Sequence, residues 1–443
     1  MRWLTGGHVL EPEGSTFVRA DIGVEGDRIA RIVPAASPAA GDDVVELNGR
    51  WLLPGLIDCH VHLTQPTDAG DPAAAASRSD AAVALFTAAA AGRTLDAGIT
   101  TVRDVGGWNY VEMAVREAIE GGLVSGPRLF LAGRLLSITT ATVSYYPGMY
   151  EVADGPDAVR EAVRRQLARG ADVIKVMATG AMLSWEREDA RAIQYTLDEL
   201  RAAVEIAHDN FTPVAAHAHA LRGIEHAIEA GVDSVEHCTF ADDDVLARLA
   251  ATGTFVVPTI CAGELLVRDR PVLDAMPAHL RRRMVEFNEL HVDTIRRAHQ
   301  ARVRIAMGTD AGTPGNHHGL NAHECVFMVT ECGLSPAESI RAATATAAAL
   351  LRRPRELGRL DVGARADVVA CPGDPFDDAT SLRRSGRRVA AMDVTALHHE
   401  RHTGQLGDVV EWITRARDDV RKCSDVQTPQ LLRSAQELSL IHI

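Results

Sequence analysis

Between Pro54 and about Leu351 the chain repeats one pattern eight times: a short apolar, strand-like run followed by a helical stretch. The candidate strands are residues 56–62, 100–104, 128–132, 173–177, 214–219, 234–237, 255–259 and 305–310. Helical stretches such as 157–169, 197–210 and 222–230 lie between them, and several end in Ala-Gly or Arg-Gly at Gly98, Gly170 and Gly231. Glycine just past a helix is a normal stop signal, because it accepts the left-handed backbone that L side chains resist. Eight β-then-α units predict an α/β protein built on a closed parallel (β/α)8 TIM barrel. The alanine-rich runs 73–76 and 88–91 read as helix, alanine being the best helix former.

The flanks read differently. Residues 1–53 carry short strand-like runs, with 18–24 and 28–33 flanking the hairpin-like turn Glu25-Gly26-Asp27. Residues 356–400 return to short strands with glycine turns, as in GRLDVGARADVVACPGD. The expected organisation is a small β-sandwich assembled from 1–53 and 356–400, a barrel over 54–355, and a tail over 401–443 with no assigned role. The last six residues, LSLIHI, read like the translation of a sequencing-library adapter, so they are expected to be artefact and no role is placed on His442.

Composition removes several classes of partner. The formal net charge is −14 and no long basic run is present, so nucleic acid is an unsuitable partner, since phosphate binding needs a concentrated positive patch. No apolar run of 18 or more residues suggests a membrane span. The start, MRWLTGGHVLEPEG, lacks an apolar core of signal-peptide length. The seven cysteines are scattered and never form a C-x-x-C pair, which implies neither a disulfide framework nor a zinc ribbon. A cytoplasmic protein is the expectation.

The chemistry-bearing residues fall at the ends of the candidate strands. In Asp58-Cys59-His60-Val61-His62, side chains two apart share one face of a strand, so His60 and His62 point into the barrel together and suit a divalent metal. Cys59 points the other way, as a packed core thiol. Lys175 lies inside the apolar strand DVIKVM. Either it snorkels outward, or it is a desolvated neutral amine that reacts with carbon dioxide to give a carbamate bridging two metals. His217 and His219 follow in VAAHAH, His237 in SVEH and Asp310 in MGTDAG. The spacings are whole numbers of βα units: 42 residues from Lys175 to His217, 20 from there to His237, and 73 on to Asp310. The residues thus fall on strands 1, 4, 5, 6 and 8, at the end where active sites of such barrels lie.

The order H-x-H, Lys, His, His, Asp resembles the binuclear amidohydrolases. The segments WLLPGLIDCHVHL, VIKVMATGAMLS, AAHAHALRGIEHAIEAGVDSVEHC and MGTDAGTPGNHHGLNAHE are similar to its prolidase-like, carboxypeptidase-like branch, some members of which hydrolyse N-acyl amino acids and the amide of ochratoxin. The resemblance spans about residues 1–375. It implies His60, His62, carboxylated Lys175, His217, His237 and Asp310 as ligands of two divalent ions, usually zinc. It places His219 in the substrate pocket, with a hydrogen bond that merely orients a ligand as the alternative. It also implies a homo-oligomer and a small amide-type substrate. The reaction it implies uses a metal-bridging hydroxide, with Asp310 taking the proton and passing it to the leaving amine.

One stretch departs from the pattern. After strand 3 the relatives carry a glycine-glycine-histidine segment that helps hold a substrate carboxylate, whereas this chain has SITTATVSYY over 137–146. The expectation is that Tyr145 and Tyr146 line a flatter, more aromatic pocket, or simply pack the loop. Three activities compete: cleavage of a peptide or N-acyl amino acid, cleavage of a non-peptide amide, urea or carbamate without a free carboxylate, and no catalysis on the same fold. No ligand is lost, which argues against the last. Lys175 argues against a mononuclear deaminase.

Overall fold

The computed structural model describes residues 1–12, 14–65, 78–144, 146–181 and 188–377. The alanine run 73–76, Tyr145, and the expected segments beyond 377 lie outside them.

The N-terminal flank forms β1 (Arg2–Leu10), β2 (Phe17–Glu25), β3 (Arg28–Val33), β4 (Asp43–Glu46) and β5 (Trp51–Pro54). These join β16 (Val368–Cys371), from the far end of the described chain, in a six-stranded mixed sheet. β16 runs antiparallel to β5, with Val369 opposite Leu53. Gly26, at φ 62°, closes the β2–β3 hairpin where the sequence placed the turn. Leu4, Ile22, Ile29, Leu52 and Val368 pack together on this sheet. Residues from both flanks therefore share one sheet; among the described residues the expected sandwich is seen only as this single sheet.

Between these flanks the fold is α/β with parallel strands. One sheet holds β6 (Leu56–Val61), β7 (Ile99–Asp104) and β8 (Arg128–Leu131). The other, seven-stranded, holds β9 (Leu135–Ser137), β10 (Tyr150–Val152), β11 (Ile174–Met177), β12 (Val214–Ala218), β13 (Ser234–His237), β14 (Phe255–Val257) and β15 (Arg304–Ile305). All eight expected core strands are present, seven close to their expected bounds; the eighth, expected over 305–310, is only Arg304–Ile305. β9 and β10 are additional. Gly133, at φ 71°, separates β8 from β9.

Both edges of the smaller sheet bond to the larger. Asp172 N–H donates to Leu131 O at 2.7 Å. On the other side Cys59 N–H donates to Met307 O at 2.8 Å, and His62 N–H to Ala311 O at 2.8 Å. β6, β7, β9, β11, β12, β13 and β14 are buried along their whole length, as parallel strands covered by helices must be. Along β6, Ile57 and Cys59 pack outward against Val257, Ala347 and Leu350, so Asp58 and His60 face the opposite way.

The helices that matter for the site are α1 (Asp80–Asp96), α2 (Val111–Glu120), α3 (Pro156–Ala168), α4 (Leu197–Asp209), α5 (Leu221–Ala230), α6 (Asp243–Thr252), α7 (Ile260–Arg268), α8 (Arg270–Ala275), α9 (Ala278–Gln300) and α10 (His323–Thr330). Their ends follow local chemistry. Thr196 and Glu199 form a reciprocal capping box at the start of α4, and α5 stops at Gly231, φ 89°. Among the described residues no helix is long and apolar enough to cross a membrane.

Candidate active site

The carboxyl ends of β6, β11, β12 and β13 and the segment after β15 converge on one cleft. It is lined by His60, His62, Lys175, His217, His219, His237 and Asp310. Every described residue expected as a ligand or in the substrate pocket lines it, including Tyr146, while Cys59 packs on the opposite face. The ring centroids of His60 and His237 lie 5.0 Å apart, and those of His217 and His237 4.6 Å. Asp310 Oδ1 sits 3.5 Å from His60 Nε2 and 3.4 Å from His62 Nε2.

Each imidazole has one nitrogen tied to the protein, which decides which one is left for chemistry. His60 Nδ1–H donates to Glu236 Oε2 at 2.7 Å, and His62 Nδ1–H to Gly106 O at 2.9 Å. Both therefore present Nε2. Thr259 Oγ1–H donates to Pro258 O at 2.6 Å, so the 2.7 Å contact between His237 Nδ1 and Thr259 Oγ1 must have the histidine as donor. His237 likewise presents Nε2. His217 is the exception, because its Nε2–H donates to Gly180 O at 3.1 Å and leaves Nδ1 free.

Two sets of these residues, His217 with His219 and His237, and His60 with His237 and Asp310, each bring their ligand atoms within 4.8 Å of one another. Lys175 is 1% exposed and its Nζ has no hydrogen-bond partner. A charged ammonium in that state costs several kcal/mol. Burial, with Arg103 nearby, lowers the amine to about 8 against the opposing pull of Glu236. Burial and the Lys175 charge also push His60 and His217 down, so the imidazoles stay neutral. Burial raises Asp310 to about 7, opposed by Lys175. Neutral imidazoles and a carboxylate held this close together are donors that could hold a divalent metal ion.

Several partners were not anticipated from the sequence. Glu236 orients His60 and is itself gripped by Arg103, whose Nη2 lies 2.8 Å from Oε1, while Arg103 Nε donates to Cys59 O. Burial raises the Glu236 carboxyl, but Arg103 and His60 outweigh it and hold the group well below its usual range. Asp58 accepts hydrogen bonds from His60 N, Thr309 N, Thr309 Oγ1 and Asn321 Nδ2. It staples β6 to the segment that carries Asp310. Its place two residues before His60, on the same face of the strand, was the available signal. Glu236 gave none, because strict alternation sends Glu236 and His237 to opposite faces. The backbone breaks that alternation: His237 has φ 70°, and Thr259 and Asp310 have φ 57° and 58°. Non-glycine residues in this region are uncommon and gather at functional sites.

Beyond that cluster the cleft carries some polar groups, Gln65, Asn288, His291 and Thr313 among them, and a larger apolar lining. Leu135, Tyr146, Met149, Tyr150, Met177, Leu266, Met284, Phe287 and Pro314 surround the polar cluster. Among the described lining residues, Lys175 is the only lysine or arginine.

A sequence model of the Amidohydrolase family matches residues 51–394. Ochratoxinase from Aspergillus niger is 32% identical over 351 residues, covering 74% of this chain and 71% of the relative. Among solved structures, a Xaa-Pro dipeptidase with bound methionine in the active site is 34% identical with TM-score 0.79, covering 86% of this chain and 96% of that one. The A. niger ochratoxinase structure is 28% identical with TM-score 0.76, covering 87% and 92%. The match over most of the chain, and over the strands that carry the polar cluster, shows that the protein belongs to the amidohydrolase family and is a hydrolase acting on carbon–nitrogen bonds.

Proposed function

We propose that this protein is a binuclear, metal-dependent amidohydrolase that cleaves an amide of a small peptide or N-acyl amino acid, at the mouth of a closed (β/α)8 barrel. The observation that carries the reading is the buried Lys175 amine, unpartnered among four imidazoles and a carboxylate. As a carbamate it would become a bridging carboxylate, and its burial cost would turn into ligand bonds. His60, His62, His217, His237 and Asp310 complete the set through the free atoms identified above. Two divalent ions, with zinc suited to so many imidazoles, would supply Lewis acidity toward the scissile carbonyl and a water that ionises near neutral pH.

The chain's own residues do the remaining work. Glu236 and Gly106 O fix the orientation of His60 and His62. Asp310, with a carboxyl near neutrality, is suited to accept a proton and return it to the departing amine. The apolar wall from Met149 to Phe287 receives a hydrophobic acyl or side-chain group and excludes water from the reacting carbonyl.

A second reading is favoured by the lining itself. With Lys175 committed to the centre, the described wall offers no guanidinium or ammonium for a free carboxylate. A neutral aryl amide, urea or carbamate fits that surface. The test is a panel of N-acyl amino acids, aryl amides, ureas and carbamates assayed with the metal-loaded protein, with metal content measured in parallel. Turnover of one class with two equivalents of metal supports the reading. A fully loaded protein inert toward all four classes overturns it.

A further inference from the structure

A chain of hydrogen bonds runs behind His219, away from the residues read as ligands. His291, on α9, has Nε2 2.7 Å from Pro258 O. A carbonyl only accepts, so Nε2 carries the proton and neutral His291 Nδ1 is an acceptor. Thr239 Oγ1, 3.0 Å from that Nδ1, must therefore donate its single proton to it. Thr239 Oγ1 is also 2.9 Å from His219 Nδ1. With its proton already used, the hydroxyl can only accept there, so His219 carries its proton on Nδ1. The remaining nitrogen, Nε2, is a bare lone pair on a residue that lines the cleft. The ring is held in place by stacking on His237, with centroids 4.7 Å apart and planes 17° apart, and by the edge of Phe287 at 5.3 Å.

Building on the amide-hydrolase reading, we propose that Thr239 and His291 are positioning residues that fix His219 as a hydrogen-bond acceptor, so that the enzyme recognises the N–H of its substrate and prefers secondary amides to tertiary ones. A neutral His219 of this tautomer has nothing to donate to a carbonyl or carboxylate oxygen. It can accept from the scissile amide N–H and orient that bond toward the centre. A prolyl or N-methyl amide has no such hydrogen and leaves the lone pair unmatched, and sites built around one hydrogen bond discriminate strongly against partners lacking it. The lone pair has one rival use, as a further metal ligand beside His217 and His237.

The experiment uses the metal-loaded full chain with a secondary amide and its N-methyl counterpart carrying the same acyl group. Thr239→Val keeps the shape of the side chain but breaks the relay; Thr239→Ser restores the hydroxyl. The expected result is a ratio of kcat/KM, secondary over tertiary, that falls about five- to tenfold in Thr239→Val and returns in Thr239→Ser. Because the bulk of the methyl group is common to all variants, only the change in ratio counts. Two readouts need no turnover. Histidine 15N correlation spectra, assigned with His219→Ala, should show His219 protonated at Nδ1 in the wild type and in Thr239→Ser. Metal content should stay at the wild-type level in His219→Ala. An unchanged ratio in Thr239→Val, a wild-type His219 protonated at Nε2, or loss of metal from His219→Ala each overturns the proposal. Wild-type protein inert toward both amides refutes the hydrolase reading and the substrate preference, while the spectra still decide the tautomer.

Discussion

At the scale of single residues, the site is a set of ring nitrogens whose roles are assigned by what stands behind them. His60 and His62 look equivalent in the sequence, yet one leans on a buried carboxylate and the other on a backbone carbonyl. Asp310 shares the cleft with both, but its task is different if it moves protons. Asp310→Asn should retain metal and lose about 10²- to 10⁴-fold in kcat; metal analysis alongside steady-state kinetics checks this, and near-wild-type turnover would remove Asp310 from the reaction. Arg103 is the clearest structural residue. It is 1% exposed and pairs with the fully buried Glu236. Arg103→Met leaves an uncompensated buried charge and should cost about 3–5 kcal/mol of stability, read by chemical denaturation, with His60 losing its fixed orientation as well.

At the scale of elements, the strands deliver side chains only because neighbouring backbones approach closely. Gly308, after β15, is such a point. A Cβ there would lie 2.3 Å from Val257 Cγ1 and 2.8 Å from His60 Cβ. Both neighbours are held in packed strands and neither is a flexible tip. Gly308→Ala should therefore separate β6 from β14, lower stability by about 1–3 kcal/mol, and weaken metal retention through His60. A melting temperature and metal content equal to wild type would show that the strands can part without loss. The bounds of these elements were largely legible beforehand, since the period-two and helical patterns with glycine stops are local properties of the chain. The split between β8 and β9, and the strand β10, were not legible, because three-residue strands are too short to carry a periodic signal.

At the scale of the whole molecule, burying Lys175 links the assembly of the centre to pH. Carbamate formation needs the neutral amine, and burial lowers that amine to about 8 from an ordinary value of 10.5. The folded-state value is depressed, so the cost of a buried charge is absent above the ordinary value and grows as pH falls toward about 8. Below that the amine is protonated and unreactive. Metal-stripped protein given 13C-bicarbonate should therefore show a carbamate signal that rises as pH increases from 6 to 9. Lys175→Met should lack the signal at every pH; a signal that persists in this variant would place the carbamate elsewhere.

The sequence alone determined the α/β alternation, the strand ends that carry His60, His62, Lys175, His217, His219, His237 and Asp310, and the resemblance that grouped them. Those features depend on spacing along the chain, and the period of a strand or helix is set by the backbone. Only the tertiary structure decided which nitrogen each histidine keeps free, that Glu236 and Arg103 stand behind His60, and that Asp58 joins β6 to the Asp310 segment. Those contacts join residues 176, 133 and 251 positions apart. They depend on left-handed turns at strand ends and on which burial costs find a partner, and neither is visible until the chain is folded.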